Sequence, residues 1–175
     1  MRDRFQIALY YGTWGGLAAF GYFFLIWLTP YSPLGLARFG GFWIPVVFIM
    51  LAVYKKRKAT AAEEGFSFGN AFLTGMTTVL VLGFLKALLV YLMIGFVDTG
   101  LLARTHAETI SWLEWTRSLS PDPDEIDKQI ELVKEAAAQS SNFTTAASEI
   151  NLYFMGGIPV SLLAALIFKR KPLNG

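Results

Sequence analysis

The chain has 175 residues, 54% of them hydrophobic and 16% charged, with a mean hydropathy of +0.47 and a formal net charge of +2. It is too apolar and too poor in charge for an ordinary soluble domain, and its length allows one compact helical domain with a polar segment and no second large one. With no cysteine and one histidine, the sequence excludes a disulfide framework, a thiol nucleophile, an iron–sulfur cluster, a Cys-type zinc site and bis-histidine haem.

No Asp, Glu, Lys or Arg occurs between Phe5 and Ala37, and Phe39–Tyr54, Gly65–Leu85 and Ile150–Phe168 are equally free of charge. A hydrocarbon core about 30 Å thick needs roughly 20 apolar residues of helix. These runs therefore predict four membrane spans, at about 7–28, 36–54, 68–95 and 146–168, within a single membrane domain covering 1–175. The first run exceeds the roughly 7–15 residues of a secretory h-region and reads as a retained helix. After it, Pro30, Pro33 and Gly35 make a short turn. The second span contains Pro45, expected to remove a backbone bond inside the helix. Arg38 stands at its outer end, where a long side chain reaches the headgroups.

Residues 98–145 form an acidic outer segment of helical character. Ile110, Trp112, Leu113 and Trp115 read as a helical continuation of the third span, with tryptophans near the interface. Ser120-Pro121-Asp122-Pro123 reads as a helix start, with acids on the positive end of the dipole. From there Ile126, Ile130, Val133 and Ala137 recur at helical spacing as one apolar stripe. That stripe lies on the protein's own bundle or on the membrane surface, or else docks a partner. Gln139-Ser140-Ser141-Asn142 reads as the break before the fourth span.

Charge is sorted along the chain. The N-terminal tail, the Lys55–Glu64 loop and the Lys169-Arg170-Lys171 tail together hold nine basic and three acidic residues. The stretch from Asp98 to Glu149 holds ten carboxylates against Arg104, Arg117, Lys128 and Lys134. Loops rich in Lys and Arg stay in the cytoplasm, so Lys55, Lys56, Arg57, Lys58, Lys169, Arg170 and Lys171 read as topology anchors. Both termini then face the cytoplasm and the acidic segment faces outward. The Lys55–Lys58 run also offers anionic lipids a contact, and nothing in it points to nucleic acid.

Small residues at four-residue spacing mark faces where membrane helices touch. They are Gly12 and Gly16 in the first span, Ala71, Gly75, Gly83 and Ala87 in the third, and Gly157, Ser161 and Ala165 in the fourth. Lys86 and Glu149 sit on these faces, and ionisable groups inside a membrane are functional candidates by default. At about 1.5 Å per residue, Lys86 stands about 27 Å along its helix from Phe68, and Glu149 about 30 Å from Lys169. Similar depth allows a Lys86–Glu149 pair across antiparallel helices. Lys86 snorkelling outward, or lining a substrate path, are the alternatives.

No GxSxG elbow, P-loop or dinucleotide-binding turn is present, and no catalytic, cofactor-binding or metal-binding residue is assigned. His106 reads as a solvated or capping residue. Asp122, Asp124, Glu125 and Asp127 are the acids expected at a helix start, with calcium a remote alternative.

Three blocks of sequence occur together: Pro33-Leu34-Gly35; Ala52-Val53-Tyr54-Lys55 followed by Phe66-Ser67-Phe68-Gly69-Asn70-Ala71-Phe72; and a final Gly-x-Pro-x-Ser-Leu-Leu span ending in Lys169-Arg170-Lys171. Their order resembles the bacterial domain-of-unknown-function family 4199. The resemblance implies a small protein of the bacterial cytoplasmic membrane with four helices and an acidic helical segment before the last. It carries no activity and so no catalytic residue. The resulting expectation is an all-α, integral membrane four-helix bundle. It is non-enzymatic and needs no cofactor. It contacts lipids and either other membrane subunits or itself, as an accessory or assembly subunit of an inner-membrane complex. The alternative is a small homo-oligomeric transporter or lipid-handling protein, with Gly156, Gly157 and Pro159 interrupting the fourth helix.

Overall fold

A computed structural model describes residues 2–172, with side chains from Phe5 onward; the charged side chains of Arg2, Asp3 and Arg4 lie outside the described set. Among the described residues the fold is all-helical. It comprises α1 (Arg2–Trp27), α2 (Trp43–Ala59), α3 (Phe68–Leu92), α4 (Leu101–Arg117), α5 (Pro123–Gln139) and α6 (Asn142–Phe168). A 3-10 helix, Leu36–Gly41, leads into α2, and a π turn, Met93–Val97, prolongs α3. Three stretches are long and apolar enough to cross a membrane: Leu36–Ala59, Phe68–Val97 and Asn142–Phe168. α1 is as long, but Tyr10, Tyr11, Gly12, Thr13, Trp14, Gly15 and Gly16 dilute its hydropathy.

Side-chain chemistry sets the helix ends. Ser67 caps α3 by accepting the Asn70 N–H at 3.2 Å. Asp122 caps α5 with Pro123 as its first residue, where the missing N–H is one that no helical carbonyl would have met. Ser141 and Thr144 form a reciprocal capping box that starts α6 four residues earlier than hydropathy implies.

Several boundaries correct the sequence reading. α2 continues through Lys55–Lys58 to Ala59, because basic residues suit the negative end of the helix dipole. Pro45 falls in the first turn of α2, so no interior backbone bond is lost. α4 is a separate helix rather than an extension of α3: the chain turns at Asp98–Gly100, where Asp98 accepts the Trp27 indole N–H at 2.8 Å. α6 runs unbroken through Gly156, Gly157 and Pro159.

α3 is the central helix and touches α1, α2 and α6. Ile49 and Val53 of α2, Val79 and Leu82 of α3, and Ala164 and Ala165 of α6 are fully buried in the core. Large apolar residues such as Leu25, Leu73, Phe84, Leu163 and Ile167 are exposed on the outside of the long helices. Buried small residues beneath an exposed apolar surface are what a lipid solvent permits, since lipid tails are as apolar as leucine. The two basic segments share one end. Phe66 and Arg170 exchange backbone hydrogen bonds at 2.7 and 2.8 Å, and the Arg170 guanidinium donates to Thr60 O and Ala61 O at 2.9 and 2.8 Å. Gly65 makes that junction possible: its φ is +66°, and a Cβ there would stand 2.8 Å from Pro172 N. α4 and α5 form a hairpin at the opposite, acidic end.

Candidate functional site

α3 and α6 interlock in a four-residue register. Gly75 faces Ser161, Val79 faces Gly157 and Gly83 faces Tyr153, each step moving four residues up one helix and four down the other. Glycine is required at position 157, because an added Cβ would lie 2.5 Å from Val79 Cγ2. Gly12 and Gly16 of α1 press on a different face of α3, against Thr78, Val81, Leu82 and Leu85. Ala71, Ala87 and Ala165 are buried as well.

The next turn of the α3–α6 register brings Lys86 to Glu149. Lys86 Nζ donates to Glu149 Oε2 in an ion pair, with Lys86 3% and Glu149 1% exposed. Lys86 therefore does not snorkel, because a counter-charge at its own depth neutralises it where it stands.

Arg38 completes the cluster, its Nη1 donating to Glu149 Oε1 at 3.4 Å. Its side chain keeps 30% exposure, so it leans inward to the carboxylate instead of extending to the headgroups. Rings close the remaining sides. Lys86 Nζ lies 4.7 Å from the Tyr153 ring centroid and 6.0 Å from that of Phe23, within cation–π range. Phe42 stacks on Tyr153 with centroids 6.2 Å apart.

This arrangement ties the 3-10 helix before α2, α3 and α6 to one carboxylate. An unpaired charge in an apolar interior costs several kcal/mol or more, so each partner holds the others in place. Both oxygens of Glu149 are engaged, one by Lys86 and the other by Arg38. The geometry suits alignment of the three elements that meet at Glu149.

The other residues singled out in the sequence lie away from this cluster. Lys55–Lys58 and Lys169–Lys171 sit at the basic end, about a bilayer's thickness away, and Arg170 there also clamps the α2–α3 loop. His106 Nε2 approaches Ser140 Oγ at 3.3 Å, joining α4 to the end of α5. The α5 stripe turns toward α4, the helix on which α5 packs, with Ile130 buried, so that face is already occupied. Sequence reasoning missed Arg38 as the third member of the cluster. The signal was available: of fifteen basic residues, only Arg38 and Lys86 lie outside the basic segments and the outer segment.

No curated protein and no solved structure matches the chain. The family model described as "Protein of unknown function (DUF4199)" matches residues 7–170. Since that match spans nearly the whole chain, from the second turn of α1 to the Arg170 clamp, the protein belongs to the DUF4199 family.

Proposed function

We propose that this protein is a non-catalytic accessory or assembly subunit of a larger complex in the bacterial inner membrane. In this reading α1 joins the three more apolar stretches as a fourth span. The basic end lies in the cytoplasm and the acidic hairpin faces outward, as the distribution of Lys and Arg favours. The observation that carries the proposal is the mutually paired Lys86–Glu149–Arg38 cluster. The charges placed deepest in the apolar slab are spent on one another and on helix alignment. What remains for function is surface: broad apolar flanks and a projecting helical hairpin, which are means of association. The alternative, a homo-oligomeric transporter or lipid-handling protein, loses the interrupted fourth helix it called for, since α6 is continuous.

Native mass spectrometry of a mild detergent extract tests the proposal. The chain is expected to leave the membrane with unrelated subunits at fixed stoichiometry, and Lys86→Ala is expected to lower the recovery of that assembly. Recovery of the chain alone or only with itself, with Lys86→Ala abolishing solute or lipid flux but not assembly, would favour the transporter instead.

A further inference from the structure

One face of α4 begins in the bundle and continues beyond it. Leu101 is buried with Phe23, Val90 and Ile94 at the acidic ends of α1 and α3. One and two turns later the helix holds the loop before α2: Thr105 Oγ1 lies 2.5 Å from Ser32 Oγ, and Glu108 Oε2 accepts the Ser32 N–H at 2.6 Å. At 3.6 residues per turn, Trp112 and Trp115 continue the same face, and Leu119 follows in the turn just after α4. All three are exposed, Trp112 45%, Trp115 62% and Leu119 66%. Beyond Glu108 this face carries no charge. Glu114 points the other way, and Arg117 pairs with Asp127 of α5 at 2.8 Å. The depth is also informative. Val90 stands about 33 Å along α3 from Phe68, close to one hydrocarbon thickness of about 30 Å, so α4 starts level with the membrane's outer edge.

We propose that Trp112, Trp115 and Leu119 seat α4 in the headgroup–acyl boundary of the membrane that the long helices cross, holding the acidic α5 out of the lipid. The inference rests on the spanning reading of those helices. Leu101 packs on the outer ends of α1 and α3, and Thr105 and Glu108 hold Ser32 of the loop before α2, so the first two turns of α4 stay beside the bundle end. Its exposed continuation starts from that depth, at the level where the spanning reading puts the headgroups. Tryptophan suits this boundary because its ring is apolar and its N–H reaches polar headgroups. The face has no Lys or Arg beyond Glu108, so its seating is apolar and does not depend on anionic lipid.

The chain has no native cysteine, so single-cysteine variants carry one nitroxide label each. Trp115→Cys, Glu114→Cys and Leu163→Cys, with Leu119→Cys as a second probe of the face, are compared in the full chain reconstituted in phosphatidylcholine vesicles. Collision with oxygen, which partitions into lipid, is measured against collision with a water-soluble nickel chelate. The labels at 115, 119 and 163 are expected to favour oxygen severalfold more than the label at 114. A label at 115 and 119 that behaves like 114 lies in water and overturns the proposal. Shielding from both quenchers means that protein, including a second copy, covers the face, and overturns it equally. If the label at Leu163 on α6 favours nickel, the spanning reading itself has failed, a result distinct from the other two.

Discussion

Glu149 is the residue on which the interior depends, since among the described residues it alone supplies negative charge to both Lys86 and Arg38. Glu149→Gln leaves two cations facing an uncharged amide, one of them fully enclosed. Removing one member of a buried pair typically costs roughly 3–5 kcal/mol, and a loss of that order is expected in thermal unfolding of the detergent-solubilised protein. Lys86→Met is expected to cost less, because Glu149 retains Arg38. Replacing Lys86 and Glu149 together by methionine should recover much of the loss, as apolar replacement of a whole buried pair often does. Equal losses for the two single variants would rule out Arg38 as a supporting partner.

Helix contacts can be tested with one substitution made at two places. Gly157→Ala sets a methyl group against Val79, where a Cβ would lie 2.5 Å from Cγ2. Overpacking of this kind costs about 1–3 kcal/mol. At Gly21 a Cβ would meet nothing within 4 Å, so Gly21→Ala is expected to gain about 0.5–1 kcal/mol from helix propensity alone. Opposite shifts in unfolding temperature are the predicted outcome; a rise for both variants would mean that the α3–α6 seam is looser than its geometry. The small-residue stripes were legible because their four-residue spacing is local to one helix. Their partners were not legible: whether Gly12 meets α2 or α3 depends on how separate helices arrange in space. Pro45 and Pro159 show the same limit. Each reads as a helix disruptor, yet one sits in a first turn that needs no N–H, and the other inside a span whose neighbours tolerate it.

At the scale of the whole molecule, the sorting of charge becomes a geometry with two ends. Arg170 and Phe66 join the basic segments at one, and the α4–α5 hairpin occupies the other. If the basic end lies in the cytoplasm, a membrane-impermeant maleimide should label Glu131→Cys in intact spheroplasts, and Ala61→Cys only after lysis. Labelling of Ala61→Cys before lysis, with Glu131→Cys protected, would invert the orientation and leave the fold untouched.

Taken alone, the amino-acid order determined the solvent, the helical class, the family and the separation of charge, because each follows from local composition and from the thickness of a bilayer. It also placed Lys86 and Glu149 at similar depth, since rise per residue is constant along a helix. Three features needed the folded chain. These were the convergence of Arg38 on Glu149, the turn that separates α4 from α3, and the face on which Trp112 and Trp115 are left uncovered. All three depend on distances between residues far apart in sequence, set by which helices become neighbours, and no local pattern encodes that choice.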